Sequence, residues 1–265
     1  MALANFQHKV SKGSRFNQIY IPKEMQEIFE VGDLVEVRLL GKKEKLHYSD
    51  NLKSFHKISD FKENIIKQVF FLLEKFKEIK QVFIVGSFLI EKTEYNDIDI
   101  ILISDKKEIE RKIYAYLSEK IQMNFHVIVI PGKKIEKLIK ICPLTRSMLY
   151  YSVSNKEFSL DEKIEIEKKH INFLMMMPED LLKIEFLNGK VYFDSLRRLI
   201  TIRKFLEKQK LDPILINLEI KKILGGYYLL LKKDENIDKK TLILLRKEIK
   251  KELTQINKIL KKDNL

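Results

Sequence analysis

Gln81-Val82-Phe83-Ile84-Val85-Gly86-Ser87, followed by Asn96-Asp97-Ile98-Asp99-Ile100-Ile101-Leu102-Ile103, is the stretch that decides how this chain folds. Gln81–Val85 is a short apolar run ending in glycine, the pattern of a buried strand feeding a tight turn. Ten residues after Ser87, an Asp-x-Asp opens a second apolar run, Ile98–Ile103. Residues two apart on a strand point to one side, so Asp97 and Asp99 place two carboxylates together at a strand end. Like charges a few ångströms apart are costly unless a cation sits between them. Mg²⁺ suits such a pair, being hard, octahedral and commonly held by one or two carboxylates plus substrate phosphates. Gly86 lets backbone approach a ligand closely, and Ser87 adds a hydroxyl and an amide. The arrangement is that of a metal–triphosphate site; the same residues also suit a tight turn and a solvated strand start.

Around this stretch the pattern alternates. Phe61, Ile65, Val69, Leu73 and Phe76 recur at helical spacing behind a capping pair, Asp60 and Glu63. Asp105 and Glu108 could cap a helix through Ile109, Ile113, Tyr116 and Lys120, and Phe125–Ile130 is a third strand stopped by Pro131-Gly132. Strands alternating with helices predict a mixed sheet covered by helices. From 151 onward the texture is helical: 191–209, 214–231 and 239–262 carry apolar stripes spaced by three and four. Asn188-Gly189 breaks the pattern before the first of these, and Asp212-Pro213 starts the second. The expected class is α+β in three units: a β-hairpin module at 1–45, a mixed-sheet domain at 46–150 and a helical bundle at 151–265.

Composition bounds the rest. The chain has 265 residues, 51 Lys+Arg against 38 Asp+Glu, and a net charge of +13. With 45% hydrophobic and 34% charged residues it can bury a core, unlike a disordered polyelectrolyte. Its apolar runs fall far short of the roughly 20 residues of a membrane helix. Met1-Ala2-Leu3-Ala4 lacks the basic flank and long apolar stretch of a signal peptide, so a soluble, cytoplasmic protein is expected. The single cysteine, Cys142, excludes a disulfide framework. The basic surface points to phosphate-bearing partners.

Gly86-Ser87 followed by Asp97-x-Asp99 resembles the signature of the DNA polymerase β-like nucleotidyltransferase superfamily, in particular its minimal nucleotidyltransferases. The resemblance covers about 70 residues, from Gln81 to Tyr150. It implies a palm domain in which Gly86 and Ser87 hold the triphosphate of an NTP such as ATP, while Asp97 and Asp99 bind Mg²⁺ or Mn²⁺. It also implies transfer of a nucleoside monophosphate to an acceptor hydroxyl, on RNA or on a protein, with pyrophosphate released. The family usually carries a third carboxylate on a later strand. Here that strand, Met123–Ile130, contains no acid; Asn124 and His126 share one face of it and either could stand in that place, or both could form a polar strand end.

Lys9-Val10-Ser11-x-Gly13, Ile21-Pro22-Lys23-Glu24 and Gly32-Asp33-Leu34-Val35 are similar to landmarks of AbrB/SpoVT-type swapped-hairpin domains. Read from the residues, 1–45 is a strand, a short helix over Lys23–Phe29 and a second strand after Gly32-Asp33. So few apolar positions make a poor independent core, so the unit must pair with a second copy or lie against the rest of the chain. The resemblance implies a homodimer in which Lys9, Lys12, Arg15 and Arg38 touch DNA; an ordinary basic surface on a dimerisation module is the other reading. Two functions from different classes follow. One is a metal-dependent nucleotidyltransferase; the other is a non-catalytic, nucleotide-sensing, DNA-binding dimeric regulator. His8, His47, His56 and His170 have no metal-ligand spacing. Met175-Met176-Met177-Pro178 reads as core filling before a helix or as a soft contact surface, and Arg197-Arg198 and Arg203 could reach phosphates or lie on a solvated face.

Overall fold

The computed structural model describes residue 6 and residues 8–37, 45–55, 57–90, 95–160, 163–184, 188–232 and 237–262. The chain divides into two compact units, 1–42 and 43–265. In the first, β1 (Ser11–Lys12) pairs antiparallel with β2 (Asn17–Gln18), and the Gly13 amide donates to the Phe16 carbonyl at 2.9 Å to close the hairpin. One 3-10 turn, Lys23–Met25, follows Pro22 in place of a longer helix. Gly32 takes φ +108, which only glycine adopts without strain, and turns the chain at 31–32. The strand expected after it does not form among residues 34–37. A strand needs a neighbour's amides and carbonyls, and β1 and β2 are the only paired segments described in this unit. Val10, Phe16, Val31, Leu34 and Val37 are each more than half exposed, and among the described residues of this unit none is buried.

The second unit contains β3 (His47–Tyr48), α1 (Asp50–Phe55), α2 (Asp60–Leu73), β4 (Gln81–Val85), α3 (Ser87–Ile90), β5 (Ile98–Ile103), α4 (Ile109–Ile121), β6 (Phe125–Ile130), α5 (Gly132–Ile141), α6 (Pro143–Leu149) and β7 (Val153–Ser154). It continues through α7 (Lys168–Leu181), α8 (Gly189–Leu206), α9 (Pro213–Leu224), α10 (Tyr228–Lys232) and α11 (Lys239–Lys262). The α+β class holds: a five-stranded mixed sheet in the order β3-β7-β4-β5-β6 with only β5 and β6 parallel, helices around it, and a helical C-terminal portion. β4, β5 and β6 span the expected residues. Val153-Ser154, beyond the expected residue-150 boundary, is instead a strand in the middle of the sheet.

Alternation sorts the sheet into two faces. Val82, Ile84, Ile98, Ile100, Leu102 and Val127 pack under α2, α3 and α4 with Ile66, Phe70, Phe88 and Leu117. Phe83, Val85, Ile101 and Ile103 pack on the opposite face against Ile139 of α5 and Leu149 of α6. At roughly 25 cal/mol per Å² of apolar surface, each such fully buried side chain contributes about 2 kcal/mol.

Several local expectations are corrected. Ser59 caps α2, its hydroxyl accepting from the Lys62 amide at 3.4 Å, because Ser59 is still extended while Asp60 is already helical. Glu63 instead accepts the Tyr48 hydroxyl at 2.8 Å, and Phe61 is exposed rather than core. Asp105 does not cap α4; it accepts the Lys80 ammonium and the Gly132 amide. Asn188 and Asp212 do cap α8 and α9. The helix through 175–178 is α7 itself, which runs past Pro178 with Met175 buried and Met176 exposed.

α8 is the central helix of the C-terminal portion, packing against α6, α7, α9, α10 and α11. Tyr192, Leu196, Leu199, Ile200 and Phe205 line its buried side. Its end is tied by ions: Arg203 pairs with Glu207, with Glu219 and with the buried Glu252, whose Oε2 lies 2.8 Å from Arg203 Nε. No described helix is long and apolar enough to cross a membrane.

Candidate active site

The end of β4 meets the start of β5. In the antiparallel register Val85 stands opposite Asp99, which puts the Gly86 turn directly against the Asp99 carboxylate. Gly86 takes φ +82, and a Cβ built there would overlap Asp99 Oδ2. Glycine is required twice over, for its backbone conformation and for the approach. Ser87 follows as the first residue of α3, half-buried beside the same strand end.

On its other side β5 runs parallel to β6, with Asp99 opposite His126. His126 Nδ1 lies 2.9 Å from Asp99 Oδ1, and the ring is 59% exposed while the carboxylate is 26% exposed. Asn124 sits elsewhere: its carbonyl accepts the Ile98 amide, and its side chain donates to the Asn96 carbonyl at 3.5 Å. Of the two side chains on that face, His126 occupies the place beside the acid and Asn124 does not.

Burial pushes the Asp99 carboxyl above the usual aspartate range. The His126 hydrogen bond opposes this, the Asp97 charge adds to it, and the Arg197 guanidinium opposes it again. Asp97 lies in the bend that precedes β5, one residue outside the strand on which alternation was expected to place it, and its charge is felt at Asp99. A half-buried carboxylate beside a second one is relieved by a cation. Among the described residues no group of three or more His, Cys, Asp and Glu is arranged to hold a metal ion. The donor set is two carboxylates, which fits a hard ion that completes its shell with water and phosphate oxygens. It does not fit a closed four-ligand structural site.

Lys9, Lys12 and Arg15 are exposed in the first unit, Lys12 at the end of β1 and Arg15 in the hairpin loop. Arg38 lies outside the described residues. A cavity of about 390 Å³ lies away from the acids, lined by Arg203, Glu219, Lys222, Lys251 and Glu252. Arg197, which the sequence offers with Arg198 and Arg203 as able to reach phosphates or to lie on a solvated face, is exposed on α8, and its charge is felt at Asp99. No protein-family model, no curated protein and no solved structure matches the chain.

Proposed function

We propose that this chain is a metal-dependent nucleotidyltransferase, with a palm-like site in the mixed sheet and a dimerising hairpin module at 1–45. It moves a nucleoside monophosphate from an NTP such as ATP to a hydroxyl of RNA or protein and releases pyrophosphate. The observation that carries this reading is the meeting of Gly86 with Asp99: a glycine turn with positive φ pressed against a carboxylate that the Asp97 charge also reaches. Gly86 and Ser87 leave backbone and a hydroxyl beside the acids, where phosphate oxygens need donors. Asp97 and Asp99 would hold Mg²⁺ or Mn²⁺, which when bound neutralises phosphate charge and favours pyrophosphate as leaving group. His126 meets Asp99 at Oδ1, which orients the carboxylate and favours its charged form against the opposing effect of burial. The acceptor oxygen bonds to the α-phosphorus as the bond to pyrophosphate breaks, and the hydroxyl proton passes to solvent at this open site. Catalysis comes from positioning and charge.

Incubation of the full chain with α-labelled NTPs, Mg²⁺ and pooled RNA or protein acceptors tests this. Covalent transfer that vanishes in Asp97→Asn and Asp99→Asn supports it; wild-type protein that binds NTP and transfers nothing overturns it. One observation favours a second reading, a nucleotide-sensing, DNA-binding dimeric regulator: β6 places a histidine, not a carboxylate, beside Asp99. In that case duplex DNA affinity and its salt slope fall in Lys12→Ala and Arg15→Ala, and unchanged values remove the hairpin from DNA.

A further inference from the structure

α3 is a single turn, and four residues do not hold a helical conformation unaided. What fixes it comes from α2. Lys62, 6% exposed, reaches across from α2 and donates from Nζ to the Phe88 carbonyl at 2.5 Å. A helix this short leaves its carbonyls without intrahelical partners, and Lys62 provides one. The same ammonium lies 5.2 Å from the Phe88 ring centroid and 5.0 Å from that of Tyr95. The two rings meet edge to face, 5.0 Å apart at 89°.

These three side chains join the two arms of the candidate site. Phe88 directly follows Ser87, and Tyr95 stands two residues before Asp97. Asp99 needs no such support, since β4 and β6 flank it and His126 meets its carboxylate. Asp97 lies in the bend before β5. The segment leading into it is held at Asn96, whose carbonyl accepts from the Asn124 side chain at 3.5 Å, and at Tyr95. A buried ammonium is costly, and a methionine would fill the same space without that cost. What methionine lacks is a donor for the Phe88 carbonyl and a charge on which both rings settle.

We propose that Lys62 is a positioning residue of the site: by gathering Phe88 and Tyr95 at one ammonium, it sets the separation between the Gly86-Ser87 turn and Asp97. The inference rests on the reading of Gly86-Ser87 and Asp97/Asp99 as a metal–nucleotide site. A nucleotide touches both arms, its phosphates at the turn and its metal at the acids. The separation is therefore felt by the nucleotide far more than by the metal alone. Lys62, buried and engaged, acts through its neighbours.

The test is calorimetric titration of the full chain with Mn²⁺ alone, then with α,β-methylene-ATP at saturating Mn²⁺. Lys62→Met is expected to weaken the analogue by about tenfold, as for the loss of one good hydrogen bond to phosphate, and Mn²⁺ alone by less than about threefold. Lys62→Arg keeps the charge and the donors and should recover part of the analogue affinity. Loss of the Phe88 donor should lower the Lys62→Met melting temperature by about 2–6 °C, leaving the protein folded at the titration temperature. Tyr95→Leu, at a half-buried position, removes one ring and leaves the ammonium in place. It should weaken the analogue about threefold with Mn²⁺ alone unchanged, and it carries the same comparison if Lys62→Met does not fold. Unchanged analogue affinity, equal losses for Mn²⁺ and analogue, or a Lys62→Arg no better than Lys62→Met overturns the inference while leaving the nucleotide site standing. Wild-type protein that binds no analogue overturns both.

Discussion

His126 Nδ1 lies 2.9 Å from Asp99 Oδ1, across the parallel pair formed by β5 and β6. That bond favours the charged carboxylate against burial, which favours the neutral acid. In His126→Ala the Asp99 carboxyl rises further, so Mn²⁺ affinity at pH 7 drops by roughly 3- to 10-fold and its pH midpoint moves upward. Because the ring is 59% exposed, the melting temperature should move by no more than about 2 °C. Mn²⁺ titrations from pH 5 to 8 check this; coincident curves for wild type and variant refute it.

Asp99 should be a stability cost in the metal-free protein. Its folded pKa stands above its unfolded value, so stability falls as pH rises from about 4 through the raised value, and the loss persists at neutral pH. Asp99→Asn removes the ionisation and should raise the metal-free melting temperature at pH 7 by roughly 2–4 °C. Added Mn²⁺ should stabilise wild type and leave the variant unchanged, reversing their order. A variant that melts below metal-free wild type contradicts this balance.

Gly86→Ala combines a strained φ with a methyl driven into Asp99. We expect a loss of about 1–3 kcal/mol in stability and, with Asp99 displaced, Mn²⁺ binding reduced well beyond tenfold. Gly225 provides the control, since it too has positive φ, at +54, but a Cβ there meets nothing within 4 Å. Gly225→Ala should lower stability without touching the metal titration, which separates backbone strain from the contact with Asp99.

Glu252, 5% exposed at its side chain, neutralises Arg203 from α11 across to α8. Glu252→Ala leaves a half-buried guanidinium with fewer partners and should cost about 3 kcal/mol, lowering the melting temperature by roughly 6–12 °C. The double change Arg203→Met with Glu252→Leu should recover much of that, because an apolar pair of similar volume carries no desolvation cost. Denaturant unfolding of the three variants decides it, and a double variant no better than the single one refutes it.

The three longest strands, β4, β5 and β6, were legible because each is an apolar run bounded by glycine, an acid or proline, as at Gly86, Asp97 and Pro131. Val153-Ser154 was not, since two residues are too few to show any period. Nor was the course of α7, where Pro178 reads as a breaker although the helix carries on around it. Phe61 fits the apolar stripe of α2 by spacing, but that stripe is wider than the face the sheet covers. In the site, the glycine turn and the two acids stand within one short stretch of sequence, although Asp97 falls in the bend before β5 and not on the strand that alternation assumes. The His126 contact needed the β5–β6 register, which no local pattern encodes. Arg197, Arg198 and Arg203 look alike in the sequence, and only the packing of α8 separates an exposed Arg197 from an Arg203 held by carboxylates.

The two-residue strand β7 also sets an order of assembly. β4, β5 and β6 lie within residues 81–130, so the glycine turn, both aspartates and His126 can be brought together by short-range pairing. β3 and β4, although both precede residue 86, touch the same strand and must wait for Val153 and Ser154 before the sheet is complete. On the ribosome, the edge of β4 that β7 later occupies therefore stays open while about 70 further residues are made, an interval in which its free amides and carbonyls are available to other chains.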